Sequence, residues 1–262
     1  MTTDALPTVT LAIYAVLSIP VLFCLVRHGR TGLVGWFYLL VFCTLRIVGG
    51  ALAMNSNKNS SSASLIANIG LSPLLLAASG ILHEGRAYYV ADGANKKTEW
   101  LLVLVFHAIV APGVALLAAG ASGLQSATAT KTDLVLVSVG IALLTAAWVV
   151  LCIWTALSFL PSSSFVFGRR RQGTTKVMMD KTSPAAAARG YGTKILWGVA
   201  AALTFIGIRV FYSLVALTTR LAYLSPSTGA LSIRVVVVFL PELVACLILI
   251  VAGFMTRHVA SR

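Results

Sequence analysis

Three ionisable residues lie deep inside apolar stretches of this sequence: Arg46, Arg209 and Glu242. A charged side chain at the centre of a membrane helix costs about 2.5 to 3.5 kcal/mol on insertion scales, so such residues usually face the protein interior and pair with one another. A carboxyl group in an apolar chamber can also act as a general acid or base, with arginines stabilising negative charge that develops beside it. We therefore predict Glu242 as a catalytic acid or base, and Arg46 and Arg209 as substrate-binding residues.

Two of the apolar stretches in the sequence also contain polar residues at helical spacing. Tyr212 follows Arg209 by three positions, and Asn68 and Ser72 lie four positions apart in a neighbouring stretch. Residues three or four apart share a face of an α-helix, so each pair forms a polar patch on one side of its helix. We predict that Asn68, Ser72 and Tyr212 contact the substrate.

Two further features favour a polar niche inside the membrane. Pro241 directly precedes Glu242, and a proline inside a helix removes one backbone N–H and frees a carbonyl about one turn earlier. Trp148 belongs to a stripe at spacings of seven, three, four and three that also includes Ser138, Thr145, Cys152 and Thr155. We predict Trp148 as a further substrate-binding residue.

The elements that position these residues are apolar stretches of membrane-spanning length. The 262 residues are 58% hydrophobic and 10% charged, with a mean hydropathy of +0.93. A bilayer core needs about 20 mostly apolar helical residues, and stretches that are apolar on all faces indicate helices rather than barrel strands. We predict one all-α domain over residues 1–262, a bundle of seven transmembrane helices at about 8–26, 33–54, 63–82, 100–121, 134–160, 194–218 and 232–256. No basic segment or cleavage pattern flanks the first helix, so we expect it to be retained.

The three charged residues lie at a similar depth in this arrangement. Arg46, Arg209 and Glu242 are about eight, nine and ten residues from the outer ends of their helices, at about 1.5 Å per residue. Two interpretations follow. In the first, the residues form a structural ion-pair network. In the second, they form the floor of a small-molecule cavity that opens toward the outer leaflet. In either case, two arginines and one carboxylate leave a surplus positive charge.

The distribution of positive charge predicts the orientation of the chain. Of the 20 lysines and arginines, 14 fall in loops on one side of the predicted helices and 3 on the other. The positive-inside rule therefore places the N-terminus outside or in a lumen and the C-terminus in the cytosol. The same sorting accounts for the net charge of +13 without a nucleic-acid partner. The basic cytosolic loop over 161–193 is typical of a topology signal resting on anionic membrane lipids, with a cytosolic protein partner as the alternative.

Several other patterns bear on chemistry and location. No Cys/His spacing or glycine-rich phosphate loop suggests a metal or cofactor, so we expect none. The four cysteines fall within helices, where we expect free thiols. Asn59 begins a glycosylation sequon in an outer loop, and ILHEGRAYY at the inner end of the third helix is typical of an interface anchor.

Several stretches together resemble a group of filamentous-fungal seven-helix membrane proteins. These stretches are GWFYLLVFCTLRIVGG, NIGLSPLLLAASGIL, IRVFYSLVAL and the Pro241-Glu242 pair, spread over the second to the seventh helix. The resemblance implies architecture and fungal origin far more than activity. By analogy with small fungal membrane enzymes, it also suggests specialised metabolism.

Two hypotheses on function follow from these observations. The first is a protein of the endoplasmic reticulum or another endomembrane. It binds a lipophilic small molecule in the polar pocket and acts as a terpenoid or epoxide cyclase or isomerase through Glu242. The second is a seven-helix receptor, lipid-handling protein or transporter without covalent chemistry.

Overall fold

Helices account for almost all of the chain that the computed structural model describes, which is residues 5–55, 70–89, 96–124, 126, 129–159, 184–219, 224 and 229–257. The described ranges contain no β-strand, which confirms the all-α prediction. The helices are α1 (Leu6–Arg27), α2 (Gly29–Asn55), α3 (Leu71–Tyr89), α4 (Lys96–Gly123), α5 (Lys131–Phe159), α6 (Pro184–Thr219) and α7 (Leu231–Thr256).

Six of these helices, all except α3, are long and apolar enough to cross a bilayer. Their outer faces carry large apolar side chains that the protein leaves exposed, among them Val16, Ile19, Trp100, Ile153 and Trp197. Extensive exposed apolar surface of this kind is stable in lipid and not in water. The chain is therefore a multi-pass membrane protein.

Helix α3 is the least apolar of the long helices. It can carry more polar residues than the others because other helices surround it. It packs against α2, α6, α4 and α5, and nearly all of its side chains are buried. Polar residues on α3 therefore face protein rather than lipid. The helix reaches Tyr89, seven residues beyond the predicted end at 82, and the predicted start at 63 lies outside the described residues.

Helix α6 begins at Pro184, ten residues before the predicted start at 194. Proline is favoured at the first turn of a helix and the four alanines that follow have the highest helix propensity, so this segment is helical without being a membrane span. The predicted basic loop therefore ends earlier than residue 193. Its residues up to 183, and the sequon at Asn59, lie outside the described residues.

Packing between neighbouring helices forms one continuous apolar core. Helix α1 packs on α2 and on α7, α4 packs on α5, and α6 packs on both α5 and α7. Gly29 adopts a φ of +60°, a conformation that costs glycine little, and this lets the chain reverse direction between α1 and α2.

Candidate functional site

Arg46, Arg209 and Glu242 meet in the interior of the bundle. The Nε of Arg209 donates to Oε1 of Glu242 at 2.9 Å, and Nη2 of Arg46 donates to the same oxygen. The exposed fraction is 0% for Arg209, 1% for Glu242 and 8% for Arg46. Three helices are thus joined through one carboxylate oxygen, as the similar predicted depths of the three residues indicate.

The backbone of α7 changes its winding just before Glu242. Residues Arg234–Phe239 form a π-helical segment, and the N–H of Leu240 donates to the carbonyl of Val235, five residues earlier. Pro241 lacks an N–H and cannot continue the regular pattern, so the wider turn accommodates it. The proline predicted a freed carbonyl and a polar niche here but not the π-helical winding, and π-helical turns are frequent at functional sites.

Arg46 is held between an aromatic ring and a glycine. Its Cζ lies 5.4 Å from the ring centroid of Phe42, one turn earlier on α2. A Cβ atom on Gly70, just before α3, would lie 2.6 Å from Nη2 of Arg46, so a larger residue there would displace the guanidinium. The Nε of Arg46 is buried and has no hydrogen-bond partner.

Arg209 contacts two residues on its own face of α6. Its Nη1 donates to the hydroxyl of Ser213, and its Cζ lies 5.7 Å from the ring centroid of Tyr212. The Tyr212 hydroxyl donates to the carbonyl of Leu224 at 2.6 Å, so it points away from the ion pair toward the connection between α6 and α7. Tyr212 therefore flanks the site.

Tyr14 on α1 belongs to the same region, although it is not among the predicted site residues. Its ring is fully buried, 5.4 Å from Phe42 and 6.3 Å from Phe239 between ring centroids. Its hydroxyl has no hydrogen-bond partner and lies within electrostatic range of Arg46 and Glu242. A search for polar side chains at the depth of the three charges would have found it, because Tyr14 lies about 12 Å along α1 from its first residue. We call Arg46, Arg209, Glu242 and Tyr14 the arginine cluster.

The arginine cluster carries more positive than negative charge. Of the acidic side chains that the structure describes, Glu84 pairs with His28, Asp133 binds Thr130, and Glu242 is the one that contacts Arg46 and Arg209. Among the described residues, the two guanidiniums and one carboxylate of the arginine cluster sum to a net charge of about +1, and an uncompensated charge in the interior is costly. The cluster is therefore suited to an anion or to another electron-rich group.

The other predicted binding residues differ in position. Ser72 is buried on α3, two residues after Gly70, whereas Asn68 lies outside the described residues. The indole Nε1 of Trp148 donates to the carbonyl of Leu203 at 3.0 Å, and its ring lies against Gly207, which is about 160° around α6 from Arg209. Trp148 therefore lines a different part of the protein from the arginine cluster.

Trp148 lies at one end of a groove between α5 and α6. The groove has a volume of about 550 Å³ and is lined by Trp148, Cys152, Thr155, Ala156, Phe159, Ala200, Leu203, Thr204, Gly207, Ile208 and Phe211. A Cβ atom on Gly207 would lie 2.6 Å from the Trp148 ring, so the glycine allows the indole to cross α6 closely. Three residues of the polar stripe predicted on α5, namely Trp148, Cys152 and Thr155, thus line a groove at the lipid side of the bundle, whereas Ser138 and Thr145 do not line it.

A second buried polar cluster lies at the inner end of the predicted bundle. His28 Nδ1 lies 2.5 Å from Oε1 of Glu84, its Nε2 lies 3.0 Å from the carbonyl oxygen of Gly253, and the indole of Trp36 donates to Oε2 of Glu84 at 3.0 Å. A carbonyl oxygen only accepts hydrogen bonds, so Nε2 of His28 donates to the carbonyl of Gly253. A second proton lies in the hydrogen bond between Nδ1 of His28 and the carboxyl group of Glu84. Burial alone would lower the pKa of His28, but the hydrogen bond and charge of Glu84 and the bond to Gly253 raise it above the ordinary 6.5.

This inner cluster corrects the expectation of an interface anchor at ILHEGRAYY. Glu84 is 0% exposed and Arg86 is 6% exposed, and the Nη1 of Arg86 donates to the hydroxyl of Ser158 at 2.6 Å. The inner end of α3 is surrounded by other helices, so its charged residues tie helices together instead of reaching lipid headgroups.

No described group of three or more His, Cys, Asp or Glu side chains could hold a metal ion.

Fold and site together define a multi-pass α-helical membrane protein with a buried Arg-Glu-Arg network at its centre. A family model matches residues 2–179 and 174–259, and the chain belongs to that family, the domain of unknown function DUF7702. Searches of the curated proteins and of the solved structures find no match. The catalytic role of Glu242 and the binding roles of the other residues stay predictions.

Proposed function

We propose that this protein binds, without covalent chemistry, a lipophilic molecule that carries an acidic group, and that the arginine cluster receives the acidic group. One observation carries the proposal: two buried arginines donate to one carboxylate oxygen, while Arg46 Nε and the Tyr14 hydroxyl are buried without partners. This leaves a surplus positive charge and two unused hydrogen-bonding groups in the same region.

The cost of burial supports an anionic ligand. A buried polar group without a partner costs about 1 to 3 kcal/mol, and a buried charge without compensation costs more. A carboxylate or phenolate beside Arg46 would neutralise the surplus charge and accept from both Nε and the tyrosine hydroxyl. The rings of Phe42, Phe239 and Tyr14 would contact the apolar part of the same molecule.

The geometry favours binding over the predicted cyclase or isomerase chemistry. Oε1 of Glu242 accepts hydrogen bonds from two cationic donors, so this oxygen is engaged in holding the two guanidiniums. A general acid also needs its proton within reach of the substrate. We therefore assign Glu242 the role of fixing the two guanidiniums.

A binding assay with a matched pair of ligands tests the proposal. The purified protein in detergent micelles is titrated with dodecanoate and with 1-dodecanol, which have the same chain and differ in charge. We expect dodecanoate to bind at least about tenfold more tightly, because charged hydrogen bonds contribute about 1.5 to 3 kcal/mol. Arg46→Gln should remove this preference, whereas Arg86→Gln, at a buried arginine of the inner end, should keep it.

Equal affinity for the two ligands, or a preference that survives Arg46→Gln, would overturn the proposal. A separate readout addresses enzymatic function: cells that carry Glu242→Gln are compared with wild-type cells for their extractable lipids. A binding protein predicts no product lost and no precursor accumulated. Loss of one metabolite together with accumulation of its precursor would favour the cyclase or isomerase instead.

We further propose that α3 completes a seven-span bundle, with the N-terminus outside or in a lumen and the C-terminus in the cytosol. The bias of positive charge supports this orientation, and the burial of α3 explains why a membrane helix can be less apolar. An endomembrane location and a fungal origin belong to the same proposal. Epitope tags at the two termini, probed in intact and in permeabilised cells, test the orientation: both tags accessible from the same side would contradict seven spans.

A further inference from the structure

The groove between α5 and α6 is separate from the arginine cluster and faces the bilayer. Beside it, Ile153, Ile208 and Phe211 are exposed apolar residues on the outer surface. Any molecule that fills the groove therefore reaches it from the surrounding lipid. We propose that the groove is a binding site for a rigid polycyclic alcohol of the membrane, a sterol-like molecule.

The length of the groove matches one leaflet. Trp148 and Phe159 are eleven residues apart on α5, or about 16 Å along the helix axis. The hydrocarbon of one leaflet is about 15 Å deep, half of the full core. Phe159 is the last residue of α5, so the groove runs from near one membrane surface to about the middle of the bilayer. An amphiphile aligned with its leaflet would fill it.

The shape of the groove favours a flat ring system. Ala156, Ala200 and Gly207 provide a shallow floor, while the aromatic rings of Trp148 and Phe211 stand at the end nearer the middle of the membrane. The two rings pack edge to face with centroids 5.2 Å apart, and the Trp148 indole is fixed by its bond to the Leu203 carbonyl. A preformed apolar surface of this kind costs a rigid ligand little conformational entropy.

A hydroxyl on the ligand is indicated by Thr155. This residue lines the groove one turn before the end of α5, it is 3% exposed, and its Oγ1 has no hydrogen-bond partner. A threonine in a helix usually donates to a carbonyl of the preceding turn, as Thr145 does to Ile141 at 2.8 Å. A ligand hydroxyl near the membrane surface would satisfy Thr155, and this is the end at which an amphiphile carries its polar group.

Photolabelling in defined vesicles tests this site. The full chain is reconstituted in dioleoylphosphatidylcholine with a diazirine analogue of cholesterol, and labelled peptides are mapped by mass spectrometry. We expect labelling on α5 and α6. Cholesterol should compete about fivefold better than cholestane, which lacks the hydroxyl, because cholestane cannot form the hydrogen bond to Thr155. Thr155→Val, which keeps the shape of the side chain, should abolish the advantage of cholesterol and leave competition by cholestane unchanged.

A pair of alanine substitutions on α5 provides the control. Ala156→Phe fills the groove and should abolish labelling there, whereas Ala146→Phe places the same ring on an exposed part of the opposite face and should not. Labelling spread evenly over all exposed helices, or unchanged by Ala156→Phe, would show that only bulk lipid contacts the groove. Equal competition by cholesterol and cholestane would also overturn the proposal, since the groove would then bind hydrocarbon alone. None of these outcomes depends on Arg46.

Discussion

Removing the carboxylate of the arginine cluster should destabilise the protein far more than removing one of its arginines. Glu242→Gln removes the carboxylate that both buried guanidiniums contact, and breaking a buried ion pair in this way costs about 3 to 5 kcal/mol. Arg46→Met loses a charged hydrogen bond of about 1.5 to 3 kcal/mol but also removes a surplus charge of about 2.5 to 3.5 kcal/mol. These two contributions oppose each other, so we expect Arg46→Met to destabilise the protein by no more than about 0.5 kcal/mol or to stabilise it by up to about 2 kcal/mol.

The assay is reversible unfolding of the ligand-free protein in mixed micelles, followed by helicity while sodium dodecyl sulfate is increased. Val16→Ala, at a lipid-facing position of α1, serves as the control and should lie within about 0.5 kcal/mol of the wild type. Combining Arg46→Met with Glu242→Gln should cost less than the sum of the single effects, because the repulsion between the two arginines is gone.

Equal costs for Arg46→Met and Glu242→Gln would refute this reasoning. Such a result would mean that both arginines are fully compensated in the ligand-free protein, and the proposed anionic ligand would lose its physical basis. A smaller cost for Glu242→Gln than for Arg46→Met would have the same consequence.

Three further predictions concern other parts of the bundle. A Cβ atom on Gly32 would lie 2.6 Å from Oε2 of Glu84, so Gly32→Ala should displace that carboxyl group and lower the unfolding midpoint, at a cost of about 1 to 3 kcal/mol. Folding raises the pKa of His28 above 6.5, so the stabilisation that protonated His28 provides is complete below pH 6.5 and is lost as pH rises through the raised pKa. Unfolding midpoints measured from pH 6 upward should therefore fall. His28→Gln should flatten this dependence of the midpoint on pH. Trp148→Phe removes the hydrogen bond to the Leu203 carbonyl and should cost about 1 kcal/mol in the same assay, with no effect on dodecanoate binding.

The residues of the arginine cluster could be found from the sequence because depth in a membrane is a local property. A helix rises about 1.5 Å per residue whatever it packs against, so counting from the ends of apolar stretches placed Arg46, Arg209 and Glu242 at one level. The charge cost in hydrocarbon then required them to face protein. The same depth count applied to α1 also selects Tyr14, but only the structure shows that its hydroxyl is buried without a partner beside Arg46 and Glu242.

The pairing of residues in the inner cluster could not be predicted from helix depth and the cost of charge. Glu84 lies in a stretch whose polar and aromatic residues are equally typical of a membrane interface. Its burial depends on α2, α4, α5 and α6 surrounding α3, and its partner His28 is 56 positions earlier in the chain. Contacts at that separation depend on which helices are neighbours, and apolar stretches of similar length carry almost no information on this.

The sequence by itself determined that the chain is helical, crosses the membrane several times and buries two arginines with one glutamate, because hydropathy, helical rise and the cost of charge in lipid act along each segment separately. Only the tertiary structure decided that both arginines converge on one oxygen of Glu242, that Trp148 lies on the far side of α6 from Arg209, and that a groove separates α5 from α6. Those features depend on how each helix is rotated about its axis and which neighbours it has, and packing of the whole bundle sets both.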